Sequence, residues 1–495
     1  MQFRKIGLIQ NAPLTADFSN NLRQIVQGYR GCLDHGAELV IAPAFALCGP
    51  SLHDLINRAS FLSQTQAALN ALSQELGSAP LLLGACSPLI PADLQMSDEQ
   101  LDDLVEEDEE DKTSGNTLAS VVPFLLEKDT VTELEDAAVF RLGGQNIYVD
   151  VGDDIVLPDL AEPDLIVHLG TTPWYASAAE ADARQRQWEA VNNEAPVICI
   201  RSVGAAEGSL FGGGPCVCSA SGHALQRLPF FETAHQVVDL RGKTRAKALP
   251  EEVELLSMAL CCGIRDTVRH NGYGGACLLL DHPNSPLLAA LCTEALGRSN
   301  VLGITFDGDE KTARTLGISC RHLSLDGLFQ DACHLLGQED NAALKSRLAS
   351  ALLASVAEER GLMLLSPLDR HDAMVGNFTL YGEPCGYLAP LGNLYTIDIH
   401  LLCRHFSERY PDLFGILEEP TAPEQDRIIH ELADCNASPS SLLKAPGSPF
   451  RENDVRFIQR RLIASALKRS QFPLVLHVDS PAEQLSFPIS HRLND

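Results

Sequence analysis

Thiols and imidazoles are the side chains of this sequence best suited to nucleophilic or metal chemistry. The fifteen Cys are scattered, and no C-x-x-C pair occurs. Free Cys is among the most buried residue types, so Cys48 and Cys199 are predicted to be core thiols and not nucleophiles. His400 and His405 share a predicted helix but lie five residues apart, which is a poor ligand spacing. We therefore expect reduced thiols and no metal site.

The charge pattern restricts the classes of partner. A net charge of −29 over 495 residues argues against nucleic acid and anionic membranes. Ten acids and one Lys lie between Asp98 and Lys112, which predicts a solvated, disordered insert at 93–115. The alternative is a docking segment for a basic partner. No apolar run approaches the roughly 18 residues of a membrane span, and no signal peptide is recognisable, so a cytoplasmic protein is expected.

The first 240 residues alternate strand-like and helix-like segments. Short apolar runs bounded by turn residues predict strands at 3–9, 38–43 and 80–85. Apolar residues at helical spacing predict helices at 20–36, 61–76 and 176–194. This mixture predicts a layered α/β sandwich.

Beyond a basic linker at 241–250, the pattern changes to repeated helix–strand units. Helices are predicted at 251–269, 286–296 and 341–360, and strands at 276–280, 301–306 and 362–366. This rhythm is typical of a doubly wound parallel sheet. Such sheets bind ligands at the carboxyl ends of their strands, so a site is expected in the loops after Leu280, Phe306 and Ser366.

Several segments resemble those of glutamine-dependent NAD+ synthetases. VGNFTLYGEPCGYLAPLGNLY (375–395) is similar to VGY-x-T-x-YGD…APLGDL-x-KT of that family. IAPAFALCGPSLHDL (41–55) is similar to FPELxLTGYPxxDL, and PVICIRSVGAAEGSLFGGGPCV (196–217) is similar to PVxYxNxVGGxDxLVFDGGSFV. The resemblance implies a nitrilase-like αββα sandwich at 1–240. A doubly wound, parallel-sheet synthetase domain of the adenine-nucleotide α-hydrolase type is implied at 251–495.

The family resemblance also implies a two-step activity. A Glu–Lys–Cys triad hydrolyses glutamine, and the ammonia displaces AMP from deamido-NAD that ATP has adenylated. The family's Glu corresponds here to Ala44 and its Cys to Gly152. Residues 116–144 are too few for the loop that carries the family's Lys, and Lys128 falls in a predicted hairpin turn. The triad is therefore predicted to be missing.

The family's ATP loop, SGGxDS, corresponds to residues 280–285. Asp281 and His282 replace its glycines, and Pro283 removes a backbone donor. Asn284 stands for the family's metal-binding Asp and lacks the charge that Mg2+ prefers.

A second ATP-binding and metal-binding loop, TGNKSE, corresponds to residues 367–372. It keeps only a cation, Arg370, and an acid, Asp372. The Lys that follows APLGDL in the family corresponds to Thr396. Although the family uses ATP and Mg2+, no cofactor is predicted for this chain.

Some residues match the family's deamido-NAD pocket, which lies partly across a dimer interface. Arg347 corresponds to the first Arg of an A-R-x-R helix, Thr379 and Tyr381 lie in the T-x-YG segment, and Lys468 lies in the terminal basic helix. With Asp372 they are the ligand-binding candidates. The alternative is that they are kept for packing.

The resemblance and its departures together predict a non-catalytic binding or regulatory subunit. The alternative is an active NAD+ synthetase, or a related ATP-dependent amide ligase, with rearranged residues. Expected partners are a second copy bound through the C-terminal half, a motif-intact NAD+ synthetase and a dinucleotide ligand. The long helix at 341–360 has an apolar stripe, Leu344, Leu348, Leu352 and Val356, that suits self-association. The alternative is that this stripe only packs on the chain's own sheet.

Overall fold

The computed structural model describes residues 3–88, 119–152, 162–214, 216–242, 245–339, 341–382, 386–415 and 423–478. The predicted acidic insert at 93–115 lies outside the described residues. Contacts divide the chain into two units. The first comprises Met1–Pro173, Ala178–Gly204 and Phe211–Leu249, and the second comprises Trp174–Ser177, Ala205–Leu210 and Pro250–Asp495.

The strands are β1 (Lys5–Gln10), β2 (Leu39–Ile41), β3 (Leu81–Pro88), β4 (Ala119–Glu127), β5 (Thr130–Glu133), β6 (Ala138–Leu142), β7 (Gln145–Val151), β8 (Leu165–Leu169), β9 (Val197–Ile200), β10 (Val203–Ala206), β11 (Ser209–Gly212), β12 (Cys216–Cys218), β13 (Ala224–Arg227), β14 (Ala234–Asp239), β15 (Ala276–Leu279), β16 (Val301–Thr305), β17 (Ser319–His322), β18 (Met363–Leu365), β19 (Leu388–Ala389) and β20 (Leu474–Val475). The α-helices are Phe18–Asp34, Ala59–Glu75, Ala178–Asn192, Glu252–His270, Ser285–Leu296, Lys311–Leu316, Asp326–Leu336, Ala342–Arg360, Arg370–Val375, Thr396–Ser407, Pro411–Phe414, Glu424–Ile429, Pro439–Lys444, Glu452–Ala464 and Ala466–Arg469.

The first unit contains two six-stranded sheets, ordered β14-β1-β2-β3-β4-β5 and β13-β12-β9-β8-β7-β6. Their facing sides share one core, in which Leu8 and Ile41 of the first sheet pack with Val149 and Val167 of the second. Helices Phe18–Asp34 and Ala59–Glu75 cover the outer face of the first sheet. Helix Ala178–Asn192 covers the outer face of the second. Strands with two buried faces pack between helices in this way, and the result is the predicted αββα sandwich.

The second unit contains a six-stranded sheet ordered β17-β16-β15-β18-β19-β20, in which every strand pairing is parallel. The chain winds outward from β15 in one direction and then from β18 in the other, so the topological switch point lies between them. Helix Ala342–Arg360 packs Leu353 and Val356 on this sheet. Leu344, Leu348 and Leu352, which belong to the predicted stripe, are only partly buried.

A second apolar cluster lies beside the sheet and is formed by helices between residues 423 and 469. Ile428, Ile429, Val455 and Ile458 form its centre, with 0 to 1% of their surface exposed. Met374 and Val375 of helix Arg370–Val375 pack against it. No helix in the described part of the chain combines the length and apolar character that a membrane span requires.

Two short segments from earlier in the sequence belong to the second unit. The N–H of Ala205 donates to Asp266 Oδ2 at 3.1 Å, and the N–H of His477 donates to the carbonyl of Gly208 at 2.8 Å. A Cβ on Gly208 would lie 2.3 Å from the carbonyl oxygen of Val475, and its φ is +84°. Glycine is therefore required at this close approach.

Candidate functional site

Gly152 follows β7 at the position where the family resemblance places a nucleophile. Its N–H donates to the carbonyl of Leu169 at 3.0 Å, which extends the β7–β8 pairing. A Cβ built on Gly152 would meet no described atom within 4 Å. The φ of +157° at Gly152 is a conformation that residues with a side chain rarely adopt, so the backbone here favours glycine.

Ala44, at the predicted position of the carboxylate base, is fully buried between the two sheets. A Cβ on Gly84 of β3 would lie 2.7 Å from Ala44 Cα, so the backbones of these residues are in close contact. The cluster that contains Ala44 also includes Val149 and Leu169, from the strands that end beside Gly152. Ala44 thus lies in the core on which β7 and β8 pack, and it has no titratable group.

The other groups considered for the first unit are already engaged or buried. Lys128 lies in the predicted turn between β4 and β5, and its Nζ donates to the carbonyl of Gln74. Cys48 and Cys199 are 1% and 0% exposed, as expected for core thiols.

In the second unit, Asp281 occupies the loop after β15. Its Oδ1 accepts the hydroxyl hydrogen of Thr305, and its Oδ2 accepts the N–H of Phe306 at 2.6 Å. The N–H of Asp307 lies 3.4 Å from the same Oδ2. These donors lie at the carboxyl end of β16, where parallel sheets bind ligands. The Asp281 carboxylate therefore takes hydrogen bonds that an anionic ligand would need.

Asn284 connects the loop after β15 to the loop after β18. Its Nδ2 donates to the carbonyl of Pro367 at 3.3 Å and to Asp369 Oδ2 at 3.2 Å. Its N–H donates to His282 Nδ1 at 3.2 Å. Burial and the neighbouring charge of Asp372 raise the pKa of Asp369. Side chains of this chain therefore bridge the crevice at the switch point.

Arg370 is held inside the second unit by an acid and an aromatic ring. Its guanidinium pairs with Asp434 and lies 5.4 Å from the centre of the Tyr395 ring. The Tyr395 hydroxyl donates to Asp434 Oδ2 at 2.6 Å. Burial raises the pKa of Tyr395, so its hydroxyl keeps the proton that it donates.

His371 and Thr396 bind one carboxylate from two sides. His371 Nδ1 lies 2.6 Å from Asp426 Oδ1, and the N–H of Thr396 donates to Asp426 Oδ2 at 3.1 Å. The hydrogen bond to Asp426 raises the pKa of His371, although burial opposes this. Thr396, where the resemblance places a Lys, thus begins its helix against a carboxylate of the same chain.

The ATP and Mg2+ that the family resemblance implies do not fit this arrangement. The Asp281 carboxylate holds the donors at the end of β16, and its charge would repel a polyphosphate. Asn284, at the predicted metal-ligand position, uses its amide nitrogen as a donor to Asp369. No catalytic step through either group follows from these residues.

Two of the predicted ligand-binding residues hold one loop from two sides. Arg347 Nε donates to the carbonyl of Leu380 at 3.1 Å. Lys468 Nζ donates to the carbonyls of Gly376 at 2.9 Å and Phe378 at 2.5 Å. Burial lowers the pKa of Lys468. Lys468 therefore positions the loop through its backbone.

The remaining candidates lie in or beside this loop, residues 376–382. The carbonyl of Thr379 accepts the backbone N–H three residues later, at 2.9 Å. Tyr381 is 76% exposed and has a φ of +63°, which is uncommon for an aromatic residue. Asp372 Oδ1 accepts Asn377 Nδ2 at 2.9 Å. All five predicted ligand-binding residues thus belong to the loop or bond to it.

Sequence reasoning missed a cavity of about 600 Å³ beside the His371–Asp426 pair. Its lining includes Tyr395, Asp398, Asp426, Arg427, His430 and Phe450. The sequence does contain a pattern that points to this region. Asp426, His430 and Asp434 lie four residues apart and therefore share one face of a helix. His430 Nδ1 lies 3.1 Å from Asp434 Oδ2.

Comparisons with known proteins match both units. A family model described as NAD synthase matches residues 256–426. A glutamine-dependent NAD(+) synthetase of Synechocystis sp. is 26% identical and aligns over 94% of each chain. The glutamine-dependent NAD(+) synthetase structure from Cytophaga hutchinsonii has a TM-score of 0.81 at 12% identity, covering 99% of this chain and 98% of its own. The Acinetobacter baumannii enzyme in complex with ADP has a TM-score of 0.71 at 16% identity, with the same coverage.

These likenesses extend over nearly the whole length of the chain. The solved structures confirm the predicted fold class, a nitrilase-like sandwich followed by a parallel-sheet synthetase domain. The family model and the sequence relatives name the same family that the motifs predict. The chain is therefore similar, over nearly its whole length, to glutamine-dependent NAD+ synthetases.

Proposed function

We propose that this chain is a non-catalytic member of its family and acts as a binding or regulatory subunit in NAD+ synthesis. The observation that carries the proposal is the position of Asp281. Its carboxylate accepts hydrogen bonds from Thr305 and Phe306, at the strand end where a nucleotide would need donors. An anion of the chain itself thus takes the place of an anionic ligand.

The first unit supports the same proposal. Hydrolysis of glutamine through a thioester needs a thiolate and a base that activates it. Gly152 and Ala44 supply neither group at the positions that the family resemblance indicates. The nearby Cys199 is fully buried.

The ligand that we propose is a dinucleotide such as deamido-NAD, bound at the loop 376–382. Arg347 is exposed and uses Nε to hold the loop, and its charge suits a phosphate group. Tyr381 exposes a ring on which a base can stack. Thr379 and Asp372 are further polar groups of this surface.

The partners that we propose are a second copy of the chain, bound through its C-terminal half, and a motif-intact NAD+ synthetase. Helix Asp326–Leu336 of the second unit supports such contacts. Leu328, Leu335 and Leu336 on this helix are 46%, 84% and 57% exposed. An apolar surface of this kind is typical of an interface between subunits.

Calorimetry and product assays on the full chain test the proposal. We expect binding heat with deamido-NAD, little or none with ATP and Mg2+, and no ammonia from glutamine. The variant Arg347→Ala should weaken deamido-NAD binding, whereas Arg460→Ala, at an exposed cation elsewhere in the unit, should not.

Formation of AMP by the unmodified protein from ATP, deamido-NAD and ammonia would contradict the proposal. That result would favour the alternative function, an active synthetase or related amide ligase with rearranged residues. Absence of both AMP formation and deamido-NAD binding would remove the dinucleotide from the proposal.

A further inference from the structure

A buried network of charged side chains lies under helix Ala178–Asn192. At its centre is His168 of β8, which is fully buried. His168 Nδ1 lies 2.6 Å from Asp150 Oδ1, and Nε2 lies 2.6 Å from Glu189 Oε1. The side chains of Asp150 and Glu189 are 5% and 0% exposed. The two carboxylates therefore hold the imidazole from opposite ends.

The network continues along the helix. Glu189 Oε2 accepts Arg186 Nη1 at 3.1 Å, and Arg186 Nε lies 3.4 Å from Asp182 Oδ1. Asp182 is paired in turn with Arg201, at 2.8 Å and 3.1 Å. The three carboxylates then face two guanidinium groups and one imidazole.

Each of the two short contacts of this ring requires a proton between nitrogen and oxygen. A neutral imidazole has one N–H and one lone pair, so one nitrogen would direct its lone pair at a carboxylate oxygen 2.6 Å away. An imidazolium donates from both nitrogens. It also balances the network, since three positive groups then face three negative groups. An unbalanced charge in such a dry environment would be costly.

We infer that the folded chain holds His168 as an imidazolium at neutral pH, and that loss of this proton loosens helix Ala178–Asn192 from the second sheet. The imidazolium connects β7 to the helix through Asp150 and Glu189. Without its proton, two carboxylates in the core would face a ring that can donate to only one of them. The network is thus a pH-sensitive contact between helix Ala178–Asn192 and the second sheet.

The surrounding charges favour the protonated form of His168. Burial acts to lower the pKa of His168, but the hydrogen bonds and charges of Asp150 and Glu189 raise it above its ordinary value. Burial raises the pKa of Asp150 and Asp136 adds to this, whereas the hydrogen bond to His168 and the charge of Arg186 act to lower it. The buried thiols on adjacent strands interact with the same network, Cys199 with Arg186 and Cys218 with Glu189.

The sign of the pH dependence follows from the raised pKa. The stabilisation is complete below the pKa of an unfolded histidine, about 6.5. It is lost as the pH rises through the higher pKa of folded His168. Alkaline conditions should therefore weaken this part of the first unit.

Nitrogen NMR of the full chain with 15N-labelled histidine tests the inference. The histidine signal that is absent from His168→Gln is assigned to His168. It should show two protonated ring nitrogens at neutral pH, and its titration midpoint should lie above those of exposed histidines. The variant Asp150→Asn, which retains the ring, should lower that titration midpoint. A neutral tautomer at neutral pH, or an unchanged midpoint in Asp150→Asn, would overturn the inference.

Melting temperatures measured over a range of pH test whether this contact stabilises the protein. The advantage of the unmodified chain over His168→Gln should shrink as the pH rises above neutral, whereas His223→Gln, at an exposed histidine of the same unit, should give a constant difference. If His168→Gln does not fold, Asp150→Asn provides both the assignment and the comparison. A melting-temperature difference between the unmodified chain and His168→Gln that stays constant or grows with pH would exclude the proposed pH-sensitive contact.

Discussion

Asp281 carries its charge at the end of β16, with one oxygen bonded to Thr305 and the other to Phe306. The next ionic groups along the crevice are neutralised in the same manner, by other residues of this chain. Arg370 is paired with Asp434, and His371 with Asp426. At the scale of single residues, charges that could serve a ligand are satisfied internally. These pairings form without any contribution from a ligand.

Asp281→Ala should destabilise the second unit because it leaves the N–H of Phe306 and the hydroxyl of Thr305 without their acceptor. The expected loss in the free energy of unfolding is about 1–3 kcal/mol. Asp281→Asn is the matched control, since it keeps one acceptor oxygen and should lose less. Chemical unfolding followed by circular dichroism measures both. Equal stability of all three proteins would contradict the described hydrogen bonds.

We predict that a glutamine-mimicking electrophile forms no stoichiometric adduct on Cys48 or Cys199 of the unmodified protein, because both thiols are buried, and none at Gly152, which has no side chain. Gly152→Cys is the positive control. The φ of +157° at this position strains any side chain, so circular dichroism first checks that the variant folds, and an alkylating reagent then reports on the new thiol. The variant should still release no ammonia, since Ala44 cannot act as a base. Peptide mass spectrometry locates any adduct, and one on Cys48 or Cys199 of the unmodified chain would refute the prediction.

At the scale of elements, β3 and β4 pair along their whole length. The antiparallel register runs from Leu81 opposite Leu126 to Pro88 opposite Ala119. The chain therefore leaves the sheet at Pro88 and returns directly beside it. The acidic segment 93–115 is inserted at this position, between two ends that a short connection can join.

Deletion of 93–115 should leave the first unit folded, because residues 89–92 and 116–118 suffice to join β3 to β4. We expect the melting temperature to change little, since most of the buried contacts of these strands lie in the β3–β4 pairing and the cores on either side. Replacement of the ten acids by Ser and Gln at full length is the control that separates charge from length. A large loss of stability on deletion alone would show that the segment contributes packing.

Helices and strands with a strong hydrophobic periodicity were predictable from the sequence. Contacts between residues that are far apart in the sequence were not. The long helix predicted at 341–360 is found at Ala342–Arg360. The first helix begins at Phe18, before the predicted 20, because the Asp17 side chain accepts the N–H of Asn20 as a cap.

The interior of the candidate site was less accessible to sequence reasoning. Arg370 and Asp434 are 64 residues apart in sequence, and His371 and Asp426 are 55 apart. Helical spacing indicates which residues share one face of one helix, but it does not indicate which distant residue that face meets. The partners of Asp281 at the end of β16 were hidden for the same reason, although the strands themselves were predicted.

At the scale of the whole molecule, we predict self-association through the C-terminal half. Light scattering on the full chain should give a dimer, and Leu335→Asp should shift it to a monomer because Leu335 is 84% exposed on helix Asp326–Leu336. Trp188→Asp is the control, since Trp188 is 65% exposed but lies in the first unit. The full chain is required because the second unit includes Trp174–Ser177 and Ala205–Leu210. A monomeric unmodified chain at micromolar concentration would refute the prediction.

The two early segments of the second unit also set the order of events during synthesis. Ala205 leaves the ribosome 61 residues before its partner Asp266. The carbonyl of Gly208 remains without its partner for longer, because that partner is the N–H of His477, near the end of the described chain. At a synthesis rate of about 5–20 residues per second, the interval between Gly208 and His477 is on the order of tens of seconds. During this time the first unit can form its sheets, while Ala205 and Gly208 lack these two partners. The second unit is complete only when translation has passed Val478, whose carbonyl accepts the N–H of Ala176.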